Sequence, residues 1–137
     1  MELLLGGSTP FTMARVLTVN LVHQYGDTFD DYSVTWLNSS GTPINLTGYT
    51  ATMRIKAKTG GGTGETTLLT LTSAANDGLT IDAPNGKITF SGTPTKMTSG
   101  TLAQGVKYVY DLQVASGSEK KTLIRGDFFV DGETTTD

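Results

Sequence analysis

From Tyr49 to Lys58 the chain alternates without a break. Tyr49, Ala51, Met53, Ile55 and Ala57 share one parity; Thr50, Thr52, Arg54, Lys56 and Lys58 share the other. A period of two belongs to a half-buried strand, with its apolar face on a core and its threonine and basic face in water. The stretch just before it, Pro43-Ile44-Asn45-Leu46-Thr47-Gly48, carries turn residues that bring the chain into that strand.

The same pattern recurs along the chain. Arg15 to His23 reads as a first strand, with Leu17, Val19 and Leu21 on one face and Val16 and Val22 partly on the other. After the turn Tyr25-Gly26-Asp27-Thr28, a second strand runs from Phe29 to Leu37, with Tyr32, Val34 and Trp36 inward. Asn38 to Pro43 is a loop. Beyond the glycine loop of residues 58–65 come a strand at Thr67–Thr72 and the turn Asn76-Asp77-Gly78. Leu79–Asp82 and Lys87–Ser91 flank Ala83-Pro84-Asn85-Gly86, where Asn-Gly signals a hairpin. Pro94 to Ala103 is an irregular crossover with one helical turn. Val106, Tyr108, Tyr110, Leu112 and Val114 alternate inward, and Ser116–Glu119 turns the chain into a last strand, Lys121–Val130. Seven to eight short strands with a turn about every ten residues predict an all-β, antiparallel β-sandwich, which the resemblance given below narrows to an immunoglobulin-like one. Its domain spans residues 15–132, between an N-terminal arm (1–14) and a C-terminal tail (133–137).

Composition narrows the function. At 137 residues the chain suits one domain that buries roughly two-thirds of its unfolded surface. Only 17% of residues are charged and the net charge is -3, a balance that invites neither nucleic acid nor an anionic membrane. With no cysteine, disulfides, thiolate chemistry and cysteine-ligated metals are excluded. Abundant threonine and 17 glycines fit short strands and tight turns. The apolar start, Met1-Glu2-Leu3-Leu4-Leu5, has an acid at position 2 and is too short for a signal peptide or a membrane span, so a soluble protein is expected.

No residue pattern carries chemistry. His23 is the single histidine; paired with Asp27 it would be a base without a nucleophile or further nitrogen ligands, and a structural role is expected. Asp27, Asp30 and Asp31 lack the spacing and glycine of a calcium loop. Gly60-Gly61-Gly62-Thr63-Gly64 has no following Lys-Ser or Lys-Thr to make a phosphate cradle. Arg125-Gly126-Asp127 matches an integrin-binding tripeptide but falls in a strand, away from any loop tip. Asn38-Ser39-Ser40 and Asn45-Leu46-Thr47 fit the glycosylation pattern, with nothing to suggest secretion. The aromatic stripe Tyr32, Trp36, Tyr108, Tyr110 is expected in the core rather than on a sugar. Arg54, Lys56 and Lys58 are expected to guard a strand edge. No catalytic, cofactor or metal residue is assigned.

Three pieces in order carry a resemblance: Gly26-Asp27-Thr28-Phe29, then Pro43 to Ala51, then Tyr110-Asp111-Leu112-Gln113, with Leu123-Ile124-Arg125-Gly126-Asp127-Phe128-Phe129-Val130 trailing. Over residues 15–132 the chain resembles the small immunoglobulin-like structural proteins of tailed bacteriophages, among them the N-terminal domains of baseplate upper proteins and similar virion accessory proteins. The resemblance implies a non-enzymatic virion protein, made in the bacterial host cytoplasm. It would dock on other virion proteins, at the tail baseplate or fibre attachment, and on copies of itself. A capsid decoration (cement) protein is one alternative, and a carbohydrate-binding or host-adhesion module is the other, with a glycan as partner. Nucleic acid and membrane are not expected partners. The contacts are expected at Leu3, Leu4, Leu5 and Phe11 of the arm, Gly60, Gly61 and Gly62 of the loop, and Thr134 and Thr135 of the tail. Removing residues 1–12 is expected to abolish incorporation into particles while leaving the fold intact.

Overall fold

The computed structural model describes residues 2–5, 11–12, 17–30, 32–38, 40–57 and 66–132. Strands follow one another as β1 (Glu2–Leu5), β2 (Phe11–Thr12), β3 (Leu17–Thr18), β4 (Leu21–Gln24), β5 (Ser33–Leu37), β6 (Thr50–Lys56), β7 (Thr67–Thr72) and β8 (Leu79–Asp82). Then come β9 (Lys87–Phe90), the one-turn helix α1 (Pro94–Met97), β10 (Lys107–Ser116) and β11 (Glu119–Asp131). They form two sheets, ordered β2-β1-β5-β9-β8 and β3-β11-β10-β6-β7, with β4 continuing β3 along β11. The chain is an all-β sandwich. With β3 and β4 counted as one broken edge strand, the body from Leu17 onward has eight strands.

The order of strands is that of an immunoglobulin sandwich. β1, β5, β9 and β8 take the places of the A, B, E and D strands, and β10, β11 and β6 those of F, G and C. β7 adds a strand beside β6, as in variable-type domains. The ladders are antiparallel except at one edge, where β3 and β4 run parallel to β11. A second trait of such sandwiches sits where the chain enters β10: the Ala103 N–H donates to the Tyr108 hydroxyl at 2.6 Å. A tyrosine at the start of the F strand, bonded to backbone a few residues upstream, is the tyrosine corner of such sandwiches. Tyr108→Phe leaves that N–H without its acceptor and should cost about 1–3 kcal/mol in chemical denaturation.

The inward parity predicted for β6 is realised, with Ala51, Met53 and Ile55 fully buried. Facing residues of β10 (Tyr108, Tyr110, Leu112, Val114), β7 (Leu69, Leu71) and β9 (Ile88, Phe90) complete the core. An aromatic group fills one part of it: Phe29 stacks on Phe90 at 5.1 Å and meets Phe128 edge-on at 5.4 Å. Such contacts add to the burial of the rings themselves.

Several boundaries differ from the periodicity. Within residues 1–14, expected as an arm, lie β1 and β2, and β1 pairs antiparallel with β5 over Glu2↔Leu37 to Leu5↔Val34. Arg15–His23 is not one strand but β3 and β4, broken where Val19 crosses over Gly126. Phe29 is an isolated bridge to Gly92 rather than part of β5, which begins at Ser33. Val106 lies before β10 and is 40% exposed, not inward. β6 is not an edge: β10 and β7 flank it on both sides, so Arg54 and Lys56 cannot be edge guards. The hairpin between β8 and β9 closes through one turn of 3-10 helix, Ala83–Asn85, with Gly86 left-handed at φ 60°. A Cβ on Gly86 would stand 2.6 Å from the Ile44 carbonyl oxygen, so this position requires glycine.

Candidate interaction surfaces

The stretch Pro43–Ala51 carries the chain from the first sheet into β6 of the second. Ile44 N–H donates to Trp36 O at 2.9 Å, Leu46 N–H to Ala83 O at 2.9 Å, and the Leu46 side chain is buried in the core. Asn45 Oδ1 accepts from both Thr47 N–H and Thr47 Oγ1, and Asn38 Oδ1 accepts from Ser40 and Thr42 N–H. Both asparagines of the glycosylation-like patterns are thus turn formers. Trp36 lies under the same end, with the Tyr49 ring edge-on at 6.1 Å and Lys121 Nζ 5.8 Å from its centroid. This end of the sandwich is tied shut by its own chain.

Residues singled out for chemistry do not converge. His23 is 3% exposed, its ring against Phe29 at 5.2 Å and Phe128 at 6.1 Å, while Asp27 and Asp30 are on the surface. Asp31 lies outside the described residues. Among the described residues no group of three or more His, Cys, Asp or Glu could hold a metal ion. The stripe Trp36, Tyr108, Tyr110 is core, as expected, whereas Tyr32 is half-buried and reaches to the surface edge of β4, where Val22 N–H donates to its hydroxyl at 3.1 Å. That bond covers one outward main-chain group of an edge strand. Tyr110 donates its hydroxyl to Val19 O at 2.6 Å. Burial, and after it the nearby Tyr32, pushes the Tyr110 phenol far above the ordinary tyrosine range. A raised folded-state pKa gives stability that is complete below the unfolded value, about 10, and lost as pH rises beyond it. Urea midpoints taken between pH 8 and 11 should therefore fall at the alkaline end, and Tyr110→Phe should flatten that fall.

The outer face of the second sheet carries a cross-strand row in which Asp111 stands between Arg54 of β6 and Arg125 of β11. Beside it lies a groove of about 340 Å³ lined by Asn20, Leu21, Val22, Lys107, Asp127 and Phe129. Val22, 46% exposed, is its most open apolar side chain. The groove was not assigned from the sequence. Its signal was the outward parity of Val22 together with the doubled Phe128-Phe129, of which only one ring can enter the core.

Of the expected contact residues, Leu3, Leu4 and Leu5 fall in β1 and Phe11 in β2. Gly60, Gly61, Gly62, Thr134 and Thr135 lie outside the described residues. Among the described residues no helix is long and apolar enough to cross a membrane. No family model matches the chain, and the comparison with curated proteins gives no match.

Proposed function

We propose that the protein is a structural component of a tailed-bacteriophage particle, an immunoglobulin-like sandwich that acts by docking on other virion proteins. The observation that carries this reading is the ordered set Gly26–Phe29, Pro43–Ala51 and Tyr110–Gln113, whose members serve one sandwich. Phe29 centres the aromatic core, Leu46 closes one end, and Tyr110 ties the β3–β4 edge to β10. The apolar groove at Val22 and Phe129 supports a surface that works by contact rather than by catalysis. Tail baseplate or fibre attachment is the preferred site.

The test is to separate particles of the phage that carries this chain into heads and tails and probe each with antibody. Recovery with tails is the expected result, and recovery with heads would assign the decoration role instead. Absence from both fractions would overturn the reading. Deleting residues 1–12 is not a clean substitute, since β1 pairs with β5 and its loss alters the fold.

A further inference from the structure

We propose that Glu2–Leu5 is an exchangeable strand, and that in the assembled protein the β5 edge of one copy is closed by β1 of a second copy. This deepens the docking role proposed above, on which it rests, by naming one partner as the same chain. The starting point is the main chain of β5. Trp36 N–H donates to Gly86 O and Trp36 O accepts from Ile44 N–H, so both groups of Trp36 face the β9 side. Alternation along a strand then turns the groups of Thr35 and Leu37 the opposite way, toward β1. With β1 in place Leu37 is buried, and the main-chain groups of Thr35 and Leu37 would lose their ladder partners if β1 left without a replacement strand.

The strand that meets the requirement is an easy one to exchange. Among the described residues, β1 has ladders only to β5 and to the two residues of β2. Gly6-Gly7-Ser8-Thr9-Pro10 joins β1 to β2, a sequence of two glycines and a proline with no strand-forming run. Pairing to a second copy reproduces the same register, Leu3↔Trp36, Leu4↔Thr35 and Leu5↔Val34, so cis and trans ladders contain the same hydrogen bonds. The choice between them then depends on effective concentration, and a particle that packs copies side by side raises the trans value.

The absence of native cysteine makes the test direct. Leu4 and Thr35 are register partners in an antiparallel ladder, at a Cα separation of about 5.5 Å that suits a disulfide. Full-length Leu4→Cys and Thr35→Cys chains are unfolded, refolded together at high concentration and oxidised. The expected product is a disulfide-linked heterodimer, at least about tenfold above either homodimer. A heterodimer no more abundant than the homodimers overturns the exchange. A chain carrying both substitutions is oxidised alongside, and if it closes neither within nor between chains, the β1–β5 register itself is overturned. These measurements use purified protein, so a negative result leaves the virion role standing. Absence from particles would remove that role without touching the crosslink.

Discussion

Gly126→Ala is expected to lower stability by about 3–5 kcal/mol, a large share of the 5–15 kcal/mol that holds a typical domain. Gly126 sits in the middle of β11 with φ 157°, directly beneath the point where Val19 crosses the sheet edge. A Cβ there would run into the Val19 carbonyl oxygen, and would lie 2.8 Å from the Val19 carbonyl carbon and 3.0 Å from Asn20 Oδ1. Two of these are backbone atoms, so no side chain can swing aside; relief requires β3 and β4 to lift from β11. Three hydrogen bonds go with that movement. They are Val19 N–H to Arg125 O at 2.7 Å, Tyr110 hydroxyl to Val19 O at 2.6 Å, and Asp127 N–H to Asn20 Oδ1 at 3.1 Å. Each contributes about 1 kcal/mol, and the apolar contacts of Leu21 would loosen as well. The control is Gly117→Ala, at φ 60° with nothing within 4 Å of the added carbon, which should cost about 1 kcal/mol of backbone strain. Thermal melts of the two variants should differ by about 10 °C or more. Equal melts would mean that Val19 does not cross there. The same geometry gives Arg125-Gly126-Asp127 a structural reason that has nothing to do with integrins.

Periodicity was enough where a strand buries one face against the opposite sheet, whether it is central like β6 or at a sheet end like β7 and β8. β6, β7 and the hairpin β8–β9 fall where alternation puts them, because Ala51, Met53, Ile55, Leu69, Leu71, Ile88 and Phe90 have only one face to choose. It failed where long-range contacts decide. The break at Val19–Asn20 depends on a glycine more than a hundred residues away, and local sequence cannot show that the two meet. Tyr32 follows inward parity, yet its hydroxyl leaves the core to reach Val22, a choice set by the neighbouring edge strand. The leading leucines looked like an arm because four residues carry too little pattern to declare a strand. Their pairing is set by the main-chain groups of Thr35 and Leu37, which face away from β9 and meet β1. At the groove the outward parity of Val22 and the doubled Phe128-Phe129 mark exposed apolar residues, but the groove itself forms only when β4 lies parallel beside β11, which local sequence cannot show.

The charged network outside the core carries much less energy. Lys96 Nζ meets Asp77 Oδ1 at 2.6 Å, and Thr72 donates to the other carboxylate oxygen. The hydrogen bond from Lys96, aided by that from Thr72, holds the Asp77 carboxyl below its ordinary value. The resulting stability is present above the unfolded pKa and lost as pH falls through the folded one. Both side chains are partly exposed, so this network cannot rival the aromatic core.

Phe29 is where that core is most concentrated, and Phe29→Ala should cost about 3–5 kcal/mol. The ring is completely buried and touches four others: Phe90 stacked at 5.1 Å, His23 edge-on at 5.2 Å, Phe128 edge-on at 5.4 Å and Tyr32 at 6.0 Å. It belongs to no long strand. Its backbone is held by a pair of hydrogen bonds with Gly92, at 2.7 and 3.0 Å, which fix the loop before β5 against the crossover before α1. Gly92 in turn is pinned beneath Met97, whose sulfur would stand 2.5 Å from any added Cβ. Truncating the ring therefore opens a cavity between the two sheets, with neighbours from β4, β9 and β11 that cannot all move inward. Phe29→Leu keeps most of the volume and loses the ring contacts, and should cost about 1–2 kcal/mol. Urea unfolding of the two variants, with Phe90→Leu and the Phe29→Leu/Phe90→Leu double variant, measures the stacked pair by itself. A coupling of about 0.5–1.5 kcal/mol is expected. If Phe29→Ala costs less than Phe29→Leu is expected to, the Gly26-Asp27-Thr28-Phe29 turn is not anchored in the core. The assignment of that motif as the keystone of the sandwich would then fail.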